Sequence, residues 1–345
     1  MNLKALIRPA IRSIKPYSSA RDEFHGRNDD GLVFLDANEN PFQNNLNRYP
    51  DPQQVLLKEK LALLKKISKN HILLGNGSDE VLDLIIRTFC EPNQDAVLTL
   101  TPTYGMYSVL AQLNAVKIQS VPLTSDFQMD EERVLSAVQD NTKVIFICSP
   151  NNPSGNLIHP KSIQRVLKTF NGVVVIDEAY IDFSSSKSWL SRLYEFPNLI
   201  VIQTLSKAYG LAGIRLGICY ASEEIIAVLN SIKPPYNVNV LTQNAALEAI
   251  SNRKNITHQI DTIVTEREKL IEKLQQISVV KTIFPSHSNF ILCRVDDANK
   301  RYSELIGKGI IVRNRHGQPL CDNCLRITVG TPEENLKLME ALQQL

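Results

Sequence analysis

The stretch VVVIDEAY, residues 173–180, sets four consecutive β-branched apolar residues directly before two acids and a tyrosine. A run that is apolar at every position, rather than at alternate ones, suits a strand covered by helices on both faces. The same unit recurs. AVLTL (96–100) runs into TPTYGMY, VIFIC (144–148) into SPNNPSG, and LIVIQ (199–203) into TLSK. Helical segments lie between these runs, which predicts an α/β fold with a mainly parallel sheet flanked by helices. In such sheets a ligand sits beyond the carboxyl ends of the strands. All four polar motifs lie at those ends, so they are predicted to converge on one site.

Upstream, LLGNGSDEVLDLIIRTF (73–89) predicts a glycine-punctuated turn opening an amphipathic helix. Ser78 or Asp79 is the expected cap, and Leu82, Ile85, Ile86 and Phe89 the inward stripe. Free amides at that helix start, after Gly75 and Gly77, form a natural phosphate seat. Beyond residue 235 the texture changes. NVNVLTQNAALEAI and ITHQIDTIVTEREKLIEKLQQI read as long helices, NFILCRV (289–295) and IIVRN (310–314) as strands. The chain closes on a helix with Thr331 as cap, Pro332 at its first position and Glu334 completing a capping box. A length of 345 residues predicts more than one domain. The expected division is an N-terminal arm over 1–42 packing with the small domain, a large cofactor-binding domain over 43–235, and a smaller α+β domain over 236–345.

Composition narrows the function classes. A formal net charge of +2 gives no electrostatic reason to expect nucleic acid or an acidic membrane as partner. No stretch approaches the roughly 18 uninterrupted apolar residues of a membrane span. The six cysteines are scattered, most of them in apolar runs, which suits reduced thiols in a cytoplasmic protein better than a disulfide framework. Cys321 and Cys324 form a CxxC with no second pair to complete a zinc site, and are expected to be structural. The histidines show no ligand spacing, so no metal is expected. MNLKALIRPAIRSIKPYSSA, basic and free of acids up to Asp22, imitates a transit peptide, but Pro9 and Pro16 interrupt it and a docking arm is the reading adopted.

The chemistry lies in TLSKAYGLAGIRLG (204–217), where Lys207 and Arg215 stand among small and apolar residues with no carboxylate to pair with. Cations in such company need an anionic partner or a chemical task. A lysine amine can hold an aldehyde as a Schiff base, and pyridoxal phosphate is the cofactor held that way. Its ring nitrogen calls for a buried carboxylate, which Asp177 can supply from its strand end. Its phosphate calls for Arg215, Ser206 and the amides near Ser78 and Asp79. Tyr104 can cover the ring, and Asn152 and Tyr180 can donate to its phenolic oxygen. Each residue also has a plainer reading. Lys207 could simply start a helix, Asp177 and Glu178 could cap one, Asn152 could serve a turn, and the tyrosines could edge the core. Arg313 and Arg326 could be surface arginines, with Arg315 competing for the role of Arg313.

SPNNPSG, DEAY and SKAYGLAGIRLG, in this order, resemble the fold-type I aminotransferases. LDANENP (35–41), NRYP (47–50), GNGSDE, PTYGMY and CLRITVGTPEEN resemble, more narrowly, the histidinol-phosphate aminotransferase family, and the likeness spans nearly the whole chain. The resemblance implies pyridoxal 5'-phosphate as cofactor, with Lys207 as Schiff-base lysine and proton shuttle and Asp177 at the ring nitrogen. It implies that Asn152 and Tyr180 bond the phenolic oxygen and that Tyr104 stacks on the ring. Ser78, Asp79, Thr204, Ser206 and Arg215 would surround the phosphate, with Tyr49 reaching it from the other subunit of a homodimer. Arg326 would grip the substrate's phosphate, Arg313 assisting, with Tyr17 and Asn38 closing the pocket. The implied reaction exchanges an amino group between L-histidinol phosphate and 2-oxoglutarate, giving imidazole-acetol phosphate and L-glutamate. Rival readings on the same motifs are an aromatic amino-acid aminotransferase and a threonine-phosphate decarboxylase. A non-catalytic cofactor sensor would need a basic helix-turn-helix, for which there is no room before residue 35.

Overall fold

Each of the four apolar runs forms a strand one or two residues longer than its sequence limits. They are β2 (Ala96–Thr101), β4 (Thr142–Cys148), β5 (Val173–Asp177) and β6 (Leu199–Thr204) in a computed structural model that describes residues 3–15, 17 and 32–345. With β1 (Ile72–Asn76), β3 (Lys117–Pro122) and β7 (Leu216–Tyr220) they build a seven-stranded sheet in the order β1-β7-β6-β5-β4-β2-β3. The five strands β2 to β6 are parallel. Only β7 runs the other way, antiparallel to both β6 and β1, so β1 points with the central five.

The sheet is buried on both faces, as unbroken apolar runs require. Ile145, Ile147, Val174, Ile176 and Val201 join the core on one side, while Val144, Phe146, Val173, Val175, Ile200 and Ile202 join the core on the other. Each such side chain contributes roughly 1.5–3 kcal/mol of gross burial energy, and a one-residue slip in register would exchange the two sets. Helix Ser78–Phe89 covers the second face with Leu82, Ile85, Ile86 and Phe89, the stripe read from the sequence, and also with Val81 and Leu84.

A second sheet of four antiparallel strands has the order β10-β11-β9-β8, from β8 (Val280–Ile283), β9 (Phe290–Val295), β10 (Arg313–Asn314) and β11 (Cys324–Thr328). Ile291 and Cys293 of β9 face its own core with Leu270, Leu274, Leu305 and Leu338. Phe290 and Leu292 point the opposite way and join the core of the large sheet. The last helix, Pro332–Gln343, carries the expected capping box: Thr331 accepts from the Glu334 amide and Glu334 accepts from the Thr331 amide. No helix among the described residues is long and apolar enough to cross a membrane.

Three local expectations are corrected. Neither Ser78 nor Asp79 caps the helix; Gly77 holds the cap position without a side-chain bond, and Ser78 is already helical. Gly77 has φ of 79°, a left-handed turn that glycine adopts at no steric cost, and its amide is satisfied by the Arg215 carbonyl at 2.8 Å. Of residues 310–314 only Arg313–Asn314 pair as a strand. Strands β1 and β7 were hidden by glycines that read as turn signals, yet Gly75 and Gly217 sit opposite each other in register. Gly217 is there for contact: a Cβ on it would lie 2.3 Å from the Ser78 amide nitrogen.

Candidate active site

The carboxyl ends of β1, β4, β5 and β6, with the start of β7, open onto one cleft of about 80 Å³, lined among others by Ser78, Asn152, Asp177, Tyr180, Lys207 and Arg215. The expected convergence is therefore present. A larger cavity of about 680 Å³ lies elsewhere, between the loop at Ser125–Gln128 and the segment Thr282–Pro285, and holds none of the predicted cations.

Asp177 forms the floor. It ends β5, is almost fully buried, accepts from the Tyr107 hydroxyl at 2.7 Å and from the Ala179 amide at 3.0 Å, and forms no ion pair among the described residues. Burial raises its pKa, against the lowering effect of the Tyr107 bond. Tyr107 is buried outright, stacked on Phe146 with ring centroids 4.9 Å apart and edge-on to Tyr104 at 5.6 Å. The sequence reading passed over it, although PTYGMY carries it three residues after Tyr104. A tyrosine one helical turn beyond a candidate lid was the available signal.

At one end of the cleft lies the predicted phosphate seat. Arg215 has φ of 57° and its guanidinium reaches back to Asp79 at 3.5 Å. Asp79 in turn accepts from the Tyr104 hydroxyl at 3.0 Å. Its carboxylate thus aims the arginine and the aromatic ring. The Ser206 amide donates to Thr204 Oγ1 at 3.1 Å, and the Thr204 hydroxyl is spent on the Leu216 carbonyl at 2.9 Å. Thr204 therefore shapes the seat, while Ser206, Ser78 and Arg215 offer donors to it. A Cβ on Gly77 would meet the Arg215 guanidinium at 2.5 Å and displace it, and the positive φ there strains any other side chain.

Lys207 follows β6 and places its ammonium 5.7 Å from the centroid of the Tyr180 ring. Burial first, then the Arg326 and Arg215 guanidiniums, lower its pKa. The far end of the cleft is cationic. Arg326 of β11 donates to Asn152 Oδ1 at 2.5 Å and lies over the Phe290 ring at 5.0 Å, and Asn152 Nδ2 stands 3.5 Å from the Tyr180 hydroxyl. Arg313 opposes Arg326 in register but is exposed. Arg315 is the deeper neighbour: burial, then Arg326 and Arg313, push its pKa down to about 10. The Nε atoms of both Arg315 and Arg326 are buried without an acceptor. Two orphaned guanidinium donors side by side call for an anion.

Three predicted residues stand outside this cleft. Tyr17 is exposed, and Asn38 lines a separate groove with Glu39, Arg48 and Tyr49. Tyr49 is half exposed and stacks on Tyr236 with centroids 4.5 Å apart. These residues precede the large sheet in the chain.

The family model for class I and II aminotransferases matches residues 33–342. A curated histidinol-phosphate aminotransferase from Flavobacterium johnsoniae is 56% identical over 344 residues, covering 100% of this chain and 99% of that one. The chain belongs to the class I and II aminotransferases, in their histidinol-phosphate branch. The solved histidinol-phosphate aminotransferase from Clostridium acetobutylicum superposes on this aminotransferase with a TM-score of 0.81 at 28% identity, covering 87% of this chain and 91% of that one. A second, from Sinorhizobium meliloti in complex with pyridoxal-5'-phosphate, has a TM-score of 0.78 at 24% identity over 86% of this chain and 82% of that one, a likeness of fold.

Proposed function

We propose that this aminotransferase uses pyridoxal phosphate to exchange an amino group between L-histidinol phosphate and 2-oxoglutarate. The observation that carries the reading is Arg215 and Lys207 lining one cleft with the buried carboxylate of Asp177, and Arg326, with Arg315 near it, bonded to Asn152 at its border. The cofactor fits the residues present. Asp177 has only neutral donors, so a protonated ring nitrogen would supply the cation that its burial lacks. The space that side chains at Gly77 and Gly217 would fill leaves Arg215 and the Ser78 amide free to face a phosphate. When bound, pyridoxal phosphate supplies an aldehyde to hold an amine and a ring that withdraws electrons from the carbon losing its proton.

The chain's own groups do the rest. Burial lowers the pKa of Lys207, which favours the amine that would hold the cofactor and accept and return the substrate's proton. Asp177 keeps the ring nitrogen charged. Tyr180 and Asn152 sit where they can donate to the ring's phenolic oxygen, and Tyr104, aimed by Asp79, covers its face. Ser78, Ser206 and Arg215 take the cofactor's phosphate, Thr204 holding their loop in shape. Arg326 grips the substrate's anionic group, and Arg315 assists in the part the sequence assigned to Arg313. A planar guanidinium can receive either a phosphate or a carboxylate, which suits a pocket that must accept both substrates in turn.

The reading extends to a homodimer in the cytoplasm. In it the arm of residues 1–42 packs with the small domain of residues 236–345 beside the large domain of residues 43–235. Tyr49, Tyr17 and Asn38 would then serve the site across the subunit boundary or on closure of the arm. The test is spectroscopic. Purified protein with cofactor is expected to absorb visible light, to lose that band on addition of L-histidinol phosphate alone, and to recover it with 2-oxoglutarate. Loss of the band with phenylalanine or tyrosine only would make it an aromatic aminotransferase. Failure to take up cofactor, with Lys207 unmodified, would end the reading.

A further inference from the structure

Cys321 and Cys324 take no part in the transamination site, and both are free thiols. They stand at the two ends of a β-turn closed by the Cys324 amide donating to the Cys321 carbonyl at 3.0 Å. The ends of such a turn lie within about 7 Å, Cα to Cα, a span that a disulfide bridges without backbone rearrangement. The turn is tightly wound, with positive φ at Leu320 (64°) and Asn323 (53°). Arg294 pins it, donating to the Asp322 carbonyl at 3.0 Å and to the Leu320 carbonyl at 3.1 Å. That fixes a guanidinium beside the two sulfurs.

We propose that Cys321 and Cys324 are a reversible thiol–disulfide pair, and that closing the disulfide weakens the grip of Arg326 and Arg315 on the anionic end of the substrate. The second half rests on the substrate reading above. Hydrogen bonding with Cys321 first, and the Arg294 charge next, hold the Cys324 thiol below its ordinary value against burial, while Cys321 is raised. Arg294, held beside the pair, favours a thiolate there, and with Cys324 attacking, Cys321 is the resolving thiol. Its coupling to the site is short. Cys324 opens β11, and Arg326 follows two residues later on the same strand face. The Cys324 carbonyl also accepts from the Arg315 amide at 2.9 Å. Both guanidiniums are therefore tied to the backbone that the disulfide would draw in.

Both thiols are buried, and the loop 315–323 that carries Cys321 exposes His316, Gly317, Pro319 and Asp322. Besides the Arg294 bonds, the loop is held by the Gln318 amide to the Arg315 carbonyl at 3.1 Å, the Cys321 amide to the Gln318 carbonyl at 3.0 Å, the His316 amide to Asn314 Oδ1 at 2.8 Å, the Asn323 amide to His316 Nδ1 at 3.1 Å and the Val295 amide to the Asn323 carbonyl at 2.8 Å. The access step is therefore a local opening of this exposed loop, which breaks these bonds and admits a small disulfide. The Cys324 thiolate then attacks one sulfur of the oxidant RSSR and expels a first thiolate. Cys321, giving its proton to solvent, attacks the Cys324 sulfur and expels the second. The protein loses two electrons and two hydrogens, and the oxidant leaves as two thiols.

The experiment treats the holoenzyme with oxidised glutathione, alkylates, and maps the peptides by mass. The expected product is a Cys321–Cys324 peptide lighter by two hydrogens, restored by dithiothreitol. The KM for L-histidinol phosphate is expected to rise about tenfold, the equivalent of one charge-assisted hydrogen bond lost, with kcat nearly kept. Cys321→Ser and Cys321→Ala are expected to retain basal activity and to stop at a mixed disulfide on Cys324 without the bridge. Six alkylated cysteines after oxidation would overturn the pair, whatever the substrate. A bridge that leaves KM unchanged would overturn its coupling to the arginines. If L-histidinol phosphate proves not to be the substrate, the mass result still decides the pair.

Discussion

At the residue scale the site is a set of groups held away from their ordinary protonation by burial. Lys207→Ala is expected to reduce transamination by about a thousandfold or more, because the proton acceptor is removed. The check is turnover measured beside far-ultraviolet circular dichroism, which should stay unchanged. Tyr107→Phe tests the floor. The Tyr107 bond lowers the Asp177 pKa, so its loss raises that pKa further and weakens the carboxylate's hold on a protonated ring nitrogen. Cofactor affinity is expected to fall about tenfold, in keeping with one hydrogen bond to a charged group, and is read by titrating cofactor-free protein with pyridoxal phosphate. Lys207, Asp177 and Arg215 were legible in the sequence because each is a charge in an apolar setting. Tyr107 and Arg315 were not, since a tyrosine near a lid and one arginine among three look ordinary until burial is known.

Elements set those residues in place, and two glycines decide how closely. Gly217→Ala would push a methyl group to 2.3 Å from the Ser78 amide and 2.4 Å from the Gly77 carbonyl carbon. The cost is expected to be about 1–3 kcal/mol, visible as a lower denaturant midpoint together with weaker cofactor binding. Glu178 gives the element scale its pH dependence. It is fully buried at the end of β5, accepts from the Trp189 amide at 2.7 Å, from Gln203 Nε2 at 2.9 Å and from Ser188, and burial raises its pKa to about 7 from 4.5. A raised carboxylate pKa means the folded protein holds the proton more tightly than the unfolded chain. Its contribution to stability is therefore lost as pH rises from about 4.5 to about 7, and is constant beyond. Glu178→Gln is expected to flatten the stability profile in that window, measured by denaturant unfolding at several pH values. The strands bearing these acids were legible from unbroken apolar runs. Strands β1 and β7 were not, because their glycines serve a tertiary contact that local sequence reads as a turn.

For the whole molecule, in the homodimer proposed above, the decisive question is which subunit Tyr49 serves. It lies outside the cleft of its own subunit, half exposed, on a surface that also shows Leu35, Phe42 and Leu46 to solvent. Tyr49→Phe is expected to weaken cofactor binding about tenfold through one lost hydrogen bond to phosphate. Unfolded and refolded together, Tyr49→Phe and Lys207→Ala subunits are expected to regain one intact site per mixed dimer. An absence of recovery, with dimers present by sedimentation, would place Tyr49 in the site of its own subunit.

The sequence by itself determined the alternation of strands and helices, the burial of the central strands on both faces and the order of the chemical motifs along the chain. It could do so because periodicity and uncompensated charge are local properties. Only the tertiary structure decided that Arg315 rather than Arg313 lies half-buried near Arg326, that Tyr107 holds Asp177, and that Gly77 and Gly217 make room for Arg215 and the Ser78 amide. These are contacts between residues up to 174 positions apart, as for Asn152 and Arg326. Their worth depends on burial and distance, which no local pattern of residues encodes.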